Sequence, residues 1–126
     1  MITVLLAHDS NFVRAMTGLA LRAEGYHVVE VVDGAAALAA IAAHRPAVVI
    51  ANLVLPRLDG LALTRAVRAD GWQTPVIITA IDLPDGVQAE LESLGASFVE
   101  MDTFRPADVI ARLRQVLPQG APARSA

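Results

Sequence analysis

The sequence predicts an α/β domain in which a five-stranded parallel sheet carries helices on both faces. Three observations support this. Apolar runs and amphipathic segments alternate strictly along the 126 residues. The runs Val4-Leu5-Leu6, Val48-Val49-Ile50 and Val76-Ile77-Ile78 are continuous, the pattern of parallel strands buried on both faces. Helix-opening and helix-closing residues separate the runs, so each strand is followed by one helix. Such β-α alternation requires right-handed crossovers.

The elements follow in order. The first strand is predicted over Ile2–Ala7. Ser10 then caps a helix whose apolar face is Phe12, Met16, Leu19 and Ala23, ending at Gly25. The second strand, His27–Val32, carries Glu30 in mid-run and is placed at a sheet edge. Asp33-Gly34 opens a thin helix with Leu38 and Ile41, closed before Pro46. The third strand spans Ala47–Ala51, and Asp59-Gly60 opens a helix with Leu61, Leu63 and Val67 that ends by Gly71. The fourth strand is Val76–Thr79. Its helix runs from Pro84 to Leu94, with Val87, Leu91 and Leu94 on one face, and stops at Gly95. The fifth strand is Ser97–Glu100, and the last helix starts at Pro106 and carries Ile110, Leu113 and Val116. One domain is expected over 1–118. The polar, Pro- and Gly-containing segment 119–126 is expected to be a disordered tail.

Composition narrows the function. Apolar residues make up 55% of the chain, and mean hydropathy is +0.51. The stretch Val48–Leu55 is nevertheless broken by Asn52 and closed by Pro56, far short of the roughly 20 residues of a membrane span. No signal-peptide pattern opens the chain, and a cytoplasmic protein without membrane contact is expected. There is no cysteine, which removes disulfides, thiol catalysis and cysteine metal sites. Net charge is −3 and aromatics are 4%, so direct nucleic-acid binding is not expected. All ten basic residues are arginine; lysine is absent.

In such sheets ligands sit beyond the C-terminal strand ends, so His8-Asp9, Asn52, Thr79-Ala80 and Met101-Asp102 are the positions to inspect. Those ends carry a resemblance. The stretch from Ala47 to Gly60, with Pro56, Asp59 and Gly60, resembles the signature around the phosphorylated aspartate of response-regulator receiver domains from two-component signal transduction. Asn52 stands where that aspartate belongs. Thr74–Ala80 resembles the family's fourth strand, with Thr79 at the switch hydroxyl. Gly25-Tyr26, Asp33-Gly34 and Leu94-Gly95-Ala96 also match in order, and the resemblance covers about residues 2–117. It implies a flavodoxin-like doubly wound sheet of strand order 2-1-3-4-5, an order given for a receiver protein in general accounts of this fold.

The departures are as informative. Where the family has an acidic pair after the first strand this chain has His8-Asp9, and where it has the acceptor aspartate this chain has Asn52. Aligning Phe98 with the family's switch aromatic puts Met101 at its lysine, while an ungapped alignment puts Asp102 there. The resemblance therefore implies a degenerate phosphorylation site at His8, Asp9, Asn52, Thr79 and Met101, with Phe98 as a candidate switch aromatic. Phosphoryl transfer needs a carboxylate nucleophile, a charge-neutralising Mg²⁺ and a lysine and hydroxyl to hold the transferred oxygens. An amide is a poor nucleophile, and Mg²⁺ prefers hard anionic oxygens. Of the family's three carboxylates only Asp9 remains. No cofactor is expected, Mg²⁺ binding is expected to be weak or absent, and no catalytic residue is assigned. Acids and lysine are lost together, which suits a natural degenerate receiver rather than one substitution.

Other residues have quieter readings. His8 is read as a rim residue hydrogen-bonded to a neighbour, ahead of metal ligation with Asp9 or pH sensing. Asn52 is read as a structural contact, with Thr79 as one candidate partner, and Asp59 as an N-cap rather than an alternative acceptor. Trp72 is read as structural ahead of a binding hot spot. Met101 and Phe104 are weighed as an apolar patch with the fourth helix.

The chain is therefore read as a phosphorylation-independent signalling module, not an enzyme, acting through protein–protein contacts. Its partner would be a histidine kinase, a regulator or an output protein, since no output domain follows the fifth helix. The contact face implied by the resemblance lies around Val87–Ser93, Phe98–Phe104 and Asp108–Gln115. A homodimer is compatible. The alternative is a small-ligand sensor using the strand-end crevice.

Overall fold

The computed structural model describes residues 1–117. Five strands, β1 (Thr3–Ala7), β2 (His27–Val31), β3 (Val48–Asn52), β4 (Val76–Ala80) and β5 (Ser97–Glu100), alternate with five helices. These are α1 (Asn11–Ala23), α2 (Gly34–His44), α3 (Gly60–Ala69), α4 (Val87–Ser93) and α5 (Pro106–Val116). All pairings are parallel, in the order β2-β1-β3-β4-β5. The fold is the flavodoxin-like one expected. β2 lies at an edge, as Glu30 predicted.

The pleat sends alternate strand residues to two cores. Leu5, Val49 and Ile78 meet Ile41, Leu63, Val67 and Leu91 from α2, α3 and α4. Val4, Leu6, Val48, Ile50 and Ile77 meet Leu21, Val109 and Leu113 from α1 and α5. Three helices, α1, α2 and α3, are capped by a side-chain hydroxyl or carboxylate at the residues the sequence marked as their starts. Ser10 Oγ, Asp33 Oδ1 and Asp59 Oδ1 accept the N–H groups of Val13, Ala36 and Ala62 at 3.2, 2.7 and 2.8 Å. Asp59 is thus an N-cap.

Two glycines permit close approaches near the strand ends. A Cβ on Gly34 would lie 1.9 Å from Leu58 O, and one on Gly60 would lie 2.6 Å from Asn52 O. These contacts seat the starts of α2 and α3 against the loop that follows β3.

Three expectations change. Asn52 is the last residue of β3 rather than the residue after it, and Thr79 is its register partner on β4. α4 is shorter than predicted: it begins at Val87, because Gly86 before it sits at φ 82°. Trp72 keeps the structural reading: it is half-buried against the α2–α3 side of the core, with the Arg45 guanidinium 5.6 Å from its ring centre. The largest change is on α1. Phe12, Met16 and Leu19 are 65, 39 and 61% exposed, and the buried residues are Thr17, Gly18 and Leu21. Leu21 lies nine residues from Phe12, about half a turn round the helix. The small Thr17 and Gly18 let α1 approach β2. Arg14 Nε and Arg22 Nη1 then reach Glu30 at 3.5 and 2.8 Å, and a Cβ on Gly18 would lie 2.8 Å from Glu30 Oε2. Polar pairing and close fit outweigh the apolar stripe. The expected tail, 119–126, and Pro118 lie outside the described residues.

Candidate functional site

The C-terminal strand ends open into a cleft of about 480 Å³. Asn52 and Thr79 lie at the ends of β3 and β4. His8 and Val13 come from the β1–α1 turn and α1, Ile81 and Pro84 from the β4–α4 loop, and Met101 and Phe104 from the β5–α5 loop. Phe104 packs edge-on against Phe12, with ring centres 5.6 Å apart. Its ring partner is therefore on α1, not α4.

Asn52 and Thr79 are joined by a hydrogen bond. Thr79 Oγ1 donates to Asn52 Oδ1 at 3.1 Å, and Asn52 Nδ2 donates to the Val54 carbonyl at 3.0 Å. A carboxylate could not make the second bond, since it has no N–H. The amide therefore closes the β3 loop onto itself. Thr79 is buried.

His8 Nδ1 accepts the Ser10 N–H at 3.0 Å, which places the neutral ring's proton on Nε2. Nδ1 also lies 3.6 Å from Asp9 Oδ1. In the neutral ring these are two acceptors, so this contact becomes an ion pair only on protonation. Burial lowers the His8 pKa from its ordinary 6.5, Asp9 opposes that shift, and Arg14 adds to it. The Arg14 guanidinium donates to His8 O at 2.8 Å and to Asn11 Oδ1 at 2.7 Å, which holds the turn in place.

Asp9 is half exposed and does not line the cleft. Met101 does, and its N–H donates to Ala80 O at 2.7 Å. Asp102 turns away and accepts the Thr103 N–H. Of the two positions weighed against the family's lysine, the structure brings Met101 to the cleft. Phe98 is half-buried on β5, packed against the core on the α2–α4 side. It does not reach the cleft. Among the described residues no group of three His, Cys, Asp or Glu could hold a metal ion.

Val13 on α1, Ile81 and Pro84 line the cleft from beyond the residue or two after each strand, and Arg14 acts through the backbone, so the strand-end pattern in the sequence did not mark them. An apolar residue in a polar turn, such as Ile81 after β4, is the signal that would have found one of them.

A parallel sheet in this order, with polar residues gathered at the strand ends, is the flavodoxin-like α/β class to which receiver domains belong. The model of the response regulator receiver domain matches residues 4–114, and the chain belongs to that family. The DNA-binding response regulator MtrA of Mycobacterium tuberculosis is 34% identical over 111 residues, covering 88% of this chain and 48% of MtrA. The chain thus spans about half the length of the curated relatives it matches. The chemotaxis response regulator CheY4 of Vibrio cholerae superposes with a TM-score of 0.84 at 28% identity, covering 93% of this chain and 99% of CheY4. The receiver domain of the sensor histidine kinase PA1611 from Pseudomonas aeruginosa, with a magnesium ion coordinated in its active-site cleft, gives 0.78 at 26% identity, covering 90% of this chain and 95% of that one. Among the described residues no helix is long and apolar enough to cross a membrane.

Proposed function

We propose that this receiver domain signals without phosphorylation, through protein–protein contacts. One observation carries the reading: Asn52 stands at the acceptor position and spends its amide on Val54 O and Thr79 Oγ1. An acceptor carboxylate and a bound cation would together face that carbonyl. Here the Nδ2–H group occupies it instead, so the loop is closed without a metal. Met101 contributes a thioether where an ammonium would hold phosphoryl oxygens. Asp9 is the one carboxylate left of the acidic set. These donors do not suit Mg²⁺, which takes hard oxygens in octahedral geometry. Mg²⁺ binding is weak or absent, and His8, Asp9, Asn52, Thr79 and Met101 form a relict site. No catalytic step is assigned to it.

The partner is a protein of the signalling pathway: a histidine kinase, a regulator or an output protein. The exposed row Phe12, Met16 and Leu19 on α1 supports a contact role. The α4, β5 and α5 face offers none of the exposed large apolar residues of the described chain, which counts against the face the family resemblance implied.

The test is intact-mass analysis after incubation with acetyl phosphate and Mg²⁺. The wild type and Asn52→Asp should gain no phosphoryl group. The triple variant His8→Asp, Asn52→Asp, Met101→Lys should gain one. A phosphoryl adduct on the wild type would sink the proposal.

A further inference from the structure

We propose that the strand-end cleft binds a neutral, largely apolar small molecule that presents a hydrogen-bond acceptor to His8. This goes beyond the reading above, which requires only that Asn52 take no phosphoryl group.

Size and lining come first. At about 480 Å³ the cleft falls within the range of small-molecule sites, roughly 300–1,000 Å³. Its walls are mainly apolar, with Val13 from α1 and Val54, Ile81, Pro84, Met101 and Phe104 converging from three loops. Val54 and Ile81 are each 69% exposed. Two large aliphatic side chains are thus left in water at the mouth of one cleft, and a ligand between them would remove both from solvent.

The polar groups define the occupant's chemistry. Nδ1 of His8 is taken by the Ser10 N–H, so the neutral ring offers Nε2–H. No buried side-chain polar atom lacks a partner among the described residues, and Nε2 makes no hydrogen bond within the protein, so it must reach solvent. His8 lines the cleft and its side chain is only 15% exposed. An acceptor on the ligand would complete it. Thr79 Oγ1 still has free lone pairs, and Asn52 keeps one N–H.

Charge excludes the other classes. No arginine lines the cleft, and the nearby Arg14 is already engaged by His8 O, Asn11 and Glu30. An anion would find no counter-charge. The one carboxylate of the lining, Asp82, belongs to an exposed residue, where water screens it. A cation would gain little there and would lose hydration against the apolar walls. A flat or branched neutral molecule with a carbonyl or hydroxyl fits all three constraints.

Two nearly isosteric probes separate these classes: 2-acetylnaphthalene, a neutral ketone, and 2-naphthoate, its anionic counterpart. Each is titrated into the isotope-labelled full chain and followed by amide NMR. The ketone should give saturable shifts at His8, Asn52, Thr79 and Met101, with a Kd of about 1 mM or tighter. Naphthoate should bind at least about tenfold more weakly. Met101→Lys, which puts an ammonium into the wall, should weaken the ketone at least about tenfold, while Leu19→Gln on the exposed α1 row should leave it unchanged. The probe comparison needs no variant, so it decides the matter even if Met101→Lys folds poorly. The proposal is overturned if the ketone gives no saturable shifts, if naphthoate binds as well or better, or if shifts are confined to Phe12, Met16 and Leu19. None of these outcomes bears on phosphoryl transfer, which the mass measurement reads separately.

Discussion

His8 links the local turn to the pH behaviour of the domain. The Ser10 N–H holds Nδ1 as an acceptor, and burial lowers the folded-state pKa from 6.5. The sign follows from linkage. Well above pH 6.5 the ring is neutral in both states and contributes no pH dependence. As pH falls below that value the unfolded chain takes the proton first, so the native state loses stability down to the lowered folded pKa. His8→Gln should therefore lose less stability than the wild type between about pH 7.5 and about pH 5. Urea titrations at the two pH values check this. Equal losses in both proteins would mean that His8 is not held neutral.

The helices show how one element is set against the sheet by more than its apolar pattern. On α1 the stripe Phe12, Met16 and Leu19 has the spacing of a core-facing row, yet it faces outward while Leu21 is fully buried. Leu21→Ala should cost about 2–5 kcal/mol, whereas Leu19→Gln should change stability by no more than about 0.5 kcal/mol. Chemical denaturation of both variants decides which face is buried. α2 depends on a different kind of contact. Gly34 sits so close to the Leu58 carbonyl that an added methyl would overlap backbone. Gly34→Ala should therefore destabilise by about 2 kcal/mol or more, despite the better helix propensity of alanine. A gain in melting temperature would contradict that packing.

At the scale of the molecule, one sheet serves two cores. Leu63 packs on the α2–α4 side and Leu113 on the α1–α5 side, each at 0% exposure. Both lean on the same strands, so neither face can unfold without exposing the other. Leu63→Ala and Leu113→Ala should each cost about 2–5 kcal/mol and should each keep a single cooperative transition. Trp72 reports from the Leu63 side, and far-UV circular dichroism reports on all helices. The two signals should coincide in Leu113→Ala; separate midpoints would mean that the faces unfold independently. Arg68 adds a tie between elements. Its guanidinium donates to the carbonyls of Leu94, Trp72 and Thr74 at 2.7, 3.0 and 2.8 Å, joining α3 to the end of α4 and to the loop before β4. Arg68→Ala should cost about 2 kcal/mol, read by the same denaturation.

The sequence by itself determined the element order, the burial of β1, β3 and β4, the edge position of β2 and the three side-chain caps. Each of these rests on local chemistry: a period, a capping oxygen, a charge in a strand. The strand order came with the family resemblance, because a parallel crossover can return on either side of its strand and no local pattern says which. The absence of lysine and the amide at Asn52 were likewise legible, because composition and identity need no coordinates. Tertiary structure alone decided which side of α1 is buried, since the Arg14 and Arg22 pairing with Glu30 and the close approach at Gly18 join residues distant in sequence. It alone chose Met101 over Asp102 for the cleft. It alone supplied the Val54 carbonyl as the partner of Asn52, because that bond depends on how the chain turns after β3. The cleft's apolar character is also a tertiary property, for its walls come from α1 and three loops brought together only when the sheet forms.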